Sequence, residues 1–428
     1  MVGRAEASAG PYLLRQGDVA GAPAAEHLHL QFGADTSRSM VASWSTPSPV
    51  VRPRARIGTP DGGLGDEIPA FAKSYTDAMT GEQVTTLHAP MTGLSPDTTY
   101  IYEALADGAP PVAGSFRTAP VGRAPFRFTS FGDQAIPAPV GPGGLVGPST
   151  PFAAYVVDAV ENQEPLFHLL NGDLCYANVS DAPVDTWRSF WANNTRSARN
   201  RPWMPAAGNH ENEVGNGPQG FAAYQTWFQL PDNGQPSDWQ GNWYSFKVGS
   251  VGVVSINNDD VCYQAGSFSK YRRDRLRPER SHAVRGASHD HRSPSGKDLL
   301  TPLARSSDLT TVDTRAGGVH MILGGGGHSL ATPPSSFDDP QHGVVIYDVG
   351  APAQDGTRAA KKVLQEPSGW SAVRDLRHEY GYGLFEVDPG DPGGTTTITF
   401  TYMGNIAGSP DYEPYDRVVL RRPRGGKA

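Results

Sequence analysis

The sequence predicts two folded units in series: an N-terminal all-β sandwich, then an α/β domain of strands alternating with helices. Three observations lead there. From His27 onward, short segments alternate apolar and polar residues between turn clusters of Pro, Gly, Asp and Ser, the pattern of a sandwich. From about Pro125, apolar runs instead stop at Gly followed by Asp or Asn and alternate with amphipathic helical stretches, as in open α/β sheets. Finally, 50 Gly and 38 Pro among 428 residues favour many turns and short strands over long helices.

Composition narrows the function classes. Hydrophobic residues make up 38% and charged residues 19%, ordinary values for a globular protein with a sizeable core. With 36 basic and 44 acidic residues the formal charge is −8, so no general attraction to nucleic acid or an anionic membrane is expected. No apolar run approaches the length of a transmembrane helix. Cys175 and Cys262 are the two cysteines; their spacing alone supports neither a disulfide framework nor a bridge between them. Met1 to Gly10 is small and polar and lacks the apolar core of an export signal.

In chain order, residues 1–26 read as a loose lead-in. The segments H-L-H-L-Q-F-G from His27, S-M-V-A-S-W-S-T from Ser39 and R-A-R-I-G-T from Arg54 are sandwich strands. Tyr100 to Leu105 is another, Gly114 to Thr118 closes the unit, and Ala119 to Ala124 is a linker. Trp44 and Tyr102 are expected in the core, and no catalytic constellation appears in this half.

Beyond the linker, Phe152 to Asn162 and Val184 to Asn194 read as helices. The second carries Trp187, Phe190 and Trp191 on one side, a core-facing stripe. Trp243 to Asn257 reads as a β-hairpin pair. Gly318 to Leu323, Gly381 to Val387 and Thr395 to Met403 read as strands, and the basic tail from Arg417 is expected to fray.

The chemistry-bearing residues lie at three strand ends. F-R-F-T-S-F-G-D ends at Asp133, F-H-L-L-N-G-D-L-C-Y-A-N presents Asp173 and Tyr176, and P-A-A-G-N-H-E presents Asn209 and His210. Carboxylates with a phenol make a hard, oxygen-rich site suited to a strongly charged cation such as ferric iron. The alternative at each position is a strand cap or an aromatic packed under a loop.

The order G-D, G-D-x-x-Y, G-N-H-E resembles the calcineurin-like metallophosphoesterases, and the Tyr three residues after the second Asp resembles their purple acid phosphatase branch. The resemblance extends through Asn193-Asn194-Thr195-Arg196 and Asn257-Asn258-Asp259-Asp260 to Gly324-Gly325-Gly326-Gly327. It implies a fibronectin type III-like domain over residues 27–119, with Tyr100 hydrogen-bonding the backbone at a corner. It further implies a metallophosphoesterase domain over 125–408, an α/β fold with a β-sandwich flanked by helices, followed by a tail over 409–428. It implies that Asp133, Asp173 and Tyr176 bind Fe(III), with Asp173 bridging to a divalent ion (Zn, Fe or Mn) held by Asn209. His210 would orient the phosphate and help protonate the leaving group. The implied reaction is hydrolysis of small phosphomonoesters, and the implied location is secreted or cell-envelope.

The chain departs from the family after Gln264. Members carry a helix, a strand ending in a metal-binding His and a strand ending in G-H-x-H; here Ala265 to Pro278 leads directly to Glu279-Arg280-Ser281-His282. By the resemblance, several dozen residues and three histidine ligands are missing, together with two central strands, which leaves a gap or an open edge in the sheet. His289-Asp290-His291 lies past the rejoining point and is a poor substitute. His328 is expected to be incidental, and His168 and His320 structural. The arginines of Lys270 to Arg280 lack interleaved aromatics and are not expected to bind nucleic acid. The readings that follow are an acid phosphatase impaired by the missing ligands, an inactive relative serving as a binding or structural module, or a phosphodiesterase or nucleotidase of the same superfamily.

Overall fold

The computed structural model describes residues 21–138, 149–257, 321, 323–328, 378–391 and 393–423, and the backbone of five strands between them. The N-terminal unit is a sandwich of two four-stranded antiparallel sheets. One has the order β1 (Glu26–Phe32), β2 (Met40–Ser45), β6 (Gln83–Met91), β5 (Phe71–Thr76); the other has β4 (Gly63–Pro69), β3 (Arg54–Thr59), β7 (Thr99–Leu105), β8 (Val112–Arg117). Leu28, Leu30, Ala55, Ile57 and Phe116 are buried in its core, as is Trp44. The Tyr100 hydroxyl accepts a hydrogen bond from the Ser95 backbone N–H at 2.8 Å, the expected corner.

Alternation alone would leave the outer face of the first sheet wet, yet every residue of β2 is buried. The second unit covers that face. His29 stacks on Trp191 at 3.7 Å and bonds the Trp227 carbonyl at 2.8 Å through Nε2; His88 Nε2 reaches the Thr226 carbonyl at 3.1 Å. The Lys73 ammonium donates to the carbonyls of Gln225 and Phe228. Tyr102 is fully buried as expected, but its hydroxyl donates across the junction to the Arg199 carbonyl at 2.8 Å. One continuous hydrophobic core runs through both units.

The second unit is organised on a six-stranded mixed sheet. Its order is β11 (Trp203–Pro205), β10 (Phe167–Leu170), β9 (Phe126–Phe131), β19 (Gly381–Asp388), β20 (Thr395–Asn405), β21 (Tyr412–Pro423). The first three strands are parallel and the last three are antiparallel additions. Helices α1 (Phe152–Glu161) and α2 (Pro183–Ala198) supply the crossovers that parallel strands require. In α2 the side chains of Trp187, Phe190 and Trp191 are fully buried. A short helix, α3 (Ala222–Trp227), abuts β5 and β6.

The hairpin β12 (Tyr244–Val248) and β13 (Val251–Ser255) forms as expected, and β13 pairs in parallel with β14 (His282–Gly286). Two-stranded ribbons join β15 (Ala304–Arg305) to β16 (Val312–Asp313) and β17 (His342–Tyr347) to β18 (Lys362–Pro367).

Two expectations need correcting. Met321 and Leu323 are not in a strand, because the stretch they begin packs as a loop over the end of β9. Arg417 to Pro423 do not fray: they pair with Thr395 to Thr401, with Val418 buried and Arg417 and Arg421 outward. Among the described residues β14 is the last strand beside β13 in that three-stranded sheet. Cys262, His289, His291, His320 and the stretch 265–280 lie outside the described residues. Cys175 is buried and free, with its thiol pKa pushed well up by burial. No helix among the described residues is long and apolar enough to cross a membrane.

Candidate active site

Three parallel neighbours whose ends are level place their following loops side by side, and this brings the three motifs together. Leu170 pairs with Phe131 on one side and Pro205 on the other. Beyond the strands the loops stay bonded: Asp133 N–H to Gly172 O at 3.1 Å, Ala135 N–H to Leu174 O at 2.8 Å, and Ala206 N–H to Leu170 O at 2.7 Å. Asp133, Asp173 and Tyr176 all have positive φ (52°, 52° and 63°), an uncommon conformation for residues with a side chain. Such backbone persists when the surroundings over-determine it, and it clusters at functional sites.

The side chains meet. The Tyr176 hydroxyl donates to Asp133 Oδ1 at 2.7 Å, and all three of Asp133, Asp173 and Tyr176 are buried. Burial raises the Asp133 pKa to about 7, against the pull of the Tyr176 hydrogen bond. The Tyr176 phenol is pushed far up by burial first, then by the charges of Asp133 and Asp173. Asp173 Oδ1 accepts the His210 backbone N–H at 3.0 Å. Asn209 and His210 open the short turn after β11 and are half-buried at the rim. The His210 ring packs on Tyr176 at 4.2 Å between centroids, and its Nδ1 bonds Asn178 Oδ1 at 2.8 Å. Burial, then His328, lowers the His210 pKa to about 4.

Glycine is required where the loops touch. A Cβ on Gly208 would lie 2.2 Å from Asp173 Oδ1, and one on Gly172 would lie 2.8 Å from the Gly208 Cα.

Two residues acquire roles that the sequence did not assign. Glu211, fully buried, accepts hydrogen bonds from the N–H groups of Asp173 at 2.9 Å, Leu174 at 2.7 Å and Gly208 at 2.7 Å. It ties the second loop to the third, and burial, then the Asp173 charge, raises its pKa to about 8. The motif contained Glu211, but only the fold shows which amides it faces.

His328, expected to be incidental, packs on Tyr176 at 4.1 Å, and its backbone N–H donates to Asp133 O at 2.9 Å. His168 is structural as expected: fully buried, it bonds Thr129 and Glu161. Asn193 and Asn194 bind Ala153 O and Gln134, stitching α2 to α1 and to the Asp133 loop.

Asp133, Asp173 and Tyr176 have the donor chemistry of a hard trivalent cation: two buried carboxylates, both close enough to act on one buried phenol. Among the described residues, no three His, Cys, Asp or Glu side chains are grouped to hold a metal. The oxygen set escapes that pattern because its third member is a phenol. For the implied second, divalent ion, the described residues offer the Asn209 amide at the rim and the Asp173 carboxylate, a weak donor set.

Comparison with known proteins agrees with this architecture. The family description "Purple acid Phosphatase, N-terminal domain" matches residues 25–119. An uncharacterized protein of Mycobacterium tuberculosis is 40% identical over 481 aligned positions, covering 97% of this chain and 91% of the relative. Coverage of 97% is about 415 residues, so about 66 aligned positions have no counterpart in this chain. Purple acid phosphatase 21 of Arabidopsis thaliana is 28% identical over 173 residues, covering 40% of this chain and 35% of that protein. The purple acid phosphatase of yellow lupin seeds shares the fold with a TM-score of 0.58 at 16% identity, covering 94% of this chain and 75% of the lupin chain. The chain belongs to one family with the mycobacterial protein, carries a purple acid phosphatase N-terminal domain over residues 25–119, and shares the fold of the lupin purple acid phosphatase.

Proposed function

We propose that this chain is an acid-phosphatase-type hydrolase of small phosphomonoesters whose ferric position is complete in oxygen donors and whose divalent position is under-provided. The observation that carries the reading is the Tyr176 phenol on Asp133 at 2.7 Å, with the Asp173 charge acting on the same phenol. Asp133, Tyr176 and Asp173 would hold the ferric ion, which when bound supplies Lewis-acid charge against the phosphoryl oxygens. His210, fixed through Nδ1 by Asn178, would present its Nε2 to the substrate and orient the phosphate. Asn209 lies beside it at the rim.

Two observations support an impaired rather than a fully active enzyme: the scarcity of donors for a divalent ion among the described residues, and the about 66 positions at which the mycobacterial relative has residues and this chain has none. Loss of side chains that bond the metal itself costs more than the roughly 10–100-fold typical of the groups that support them. The test is hydrolysis of a chromogenic phosphomonoester at acid pH with iron and zinc supplied, beside metal quantification. Weak turnover with at most one firmly held ion supports the reading. No metal and no turnover would favour an inactive structural relative.

A further inference from the structure

His328 stands at the end of a loop whose path leaves it little freedom. Leu323 O accepts from Gly132 N–H at 2.8 Å, Gly326 N–H donates to Gly132 O at 2.8 Å, and His328 N–H donates to Asp133 O at 2.9 Å. The glycines before it hold that path. A Cβ on Gly326 would lie 2.5 Å from Gly132 O, and Gly327 has φ 138° with Ala153 N 2.3 Å from where its Cβ would be. Three backbone bonds and two obligatory glycines therefore fasten His328 to the loop that carries Asp133.

Its ring lies on Tyr176 at 4.1 Å and 42°, while His210 lies on the same tyrosine at 4.2 Å and 41°. Tyr176 is thus held by an imidazole from the third loop and another from the glycine loop, with its hydroxyl on Asp133. The contact between the His328 ring and the phenol is the route by which it can act on the site. We infer that His328 is a positioning residue: it fixes the Tyr176 ring so that the phenol oxygen meets the ferric ion beside Asp133. The inference rests on the proposed ferric site, and it deepens that reading by naming the residue that sets the ring's orientation.

The test uses the full chain with His328→Ser, which removes the ring, and His328→Phe, which restores a ring without nitrogen. The first readout needs no metal. With ring-labelled tyrosine, the Tyr176 resonances are assigned by their loss in Tyr176→Phe. They are expected to shift in His328→Ser and to return toward the parent in His328→Phe. The second readout is ferric binding and the visible phenolate-to-iron absorption. His328→Ser is expected to weaken binding about 10-fold and to move or weaken the band, with His328→Phe recovering both while the fold, read by circular dichroism, is unchanged.

Unaltered Tyr176 resonances in His328→Ser would overturn the inference, as would ferric affinity and colour equal to the parent's. If the parent itself binds no ferric ion, the ferric-site reading fails, and the positioning role is decided by the metal-free resonances alone.

Discussion

The hydroxyl of Tyr176 rests 2.7 Å from Asp133 Oδ1, joining two strand-end loops separated by 43 positions in the chain. Neither residue is a core side chain in the ordinary sense: each is buried at positive φ at the level edge of a parallel sheet. Stability would not select this arrangement, because a strained backbone and a buried carboxylate both cost free energy. A cation in the hollow would offset both. Tyr176→Phe is therefore expected to keep the fold and abolish any visible ferric absorption. Asp173→Asn is expected to lower bound iron by at least about 10-fold. Iron quantification and an absorption spectrum check both; an undiminished band in Tyr176→Phe would show that another residue is the chromophore.

Glu211 is the brace beneath that hollow. It receives three backbone N–H groups from two loops. Glu211→Ala leaves these amides buried and unpaired, which should destabilise the protein by about 3 kcal/mol. Chemical denaturation reads the change directly. A loss within about 0.5 kcal/mol would mean that water replaces the carboxylate.

Gly208→Ala tests sterics alone, because the backbone there has φ −93°, which any residue adopts. The added methyl would fall 2.2 Å from Asp173 Oδ1 and 2.3 Å from Asp173 N. Destabilisation of about 1–3 kcal/mol is expected from the overpacking, together with loss of metal binding as the carboxylate is displaced. Denaturation and metal analysis on one preparation separate the two effects.

The junction between the units should be acid-sensitive. Burial lowers the pKa of both His27 and His29 from 6.5 to about 4, and it holds His88 well below its usual value. Near them lie Lys73, and Arg188 with its partners Glu82 and Asp185. A histidine kept neutral in the folded state binds its proton more readily when unfolded. Its contribution is therefore whole above pH 6.5 and is lost as pH falls toward 4. For the fully buried His29 the loss by pH 4 is about 3 kcal/mol. Melting temperature is expected to fall steeply between pH 6.5 and 4, and less steeply in His29→Gln. Equal slopes would place the sensitivity elsewhere. Such a junction sets a lower pH limit to the folded state.

Much of this architecture was legible because it rests on local pattern. Alternation marked the sandwich strands, the aromatic stripe of Trp187, Phe190 and Trp191 marked the core face of α2, and Gly-Asp at strand ends marked the site edge. What escaped was set by tertiary neighbours. Nothing local distinguishes the Tyr102 hydroxyl, which reaches Arg199, from an ordinary core phenol. The tail after Arg417 looked too charged to be ordered, yet β20 offers an edge and alternation puts Val418 inward. Glu211 and His328 gain their roles from amides and rings far away in the chain.

The central claim is a ferric position served by Asp133, Asp173 and Tyr176 beside a divalent position without enough donors. Metal content per chain, measured on protein purified with iron and zinc supplied, tests it most directly when paired with phosphomonoester turnover on the same sample. The account predicts at most one tightly held ion, iron, and turnover at least about 100-fold below that of a purple acid phosphatase with its full ligand set. Two tightly bound ions per chain with robust turnover would contradict it.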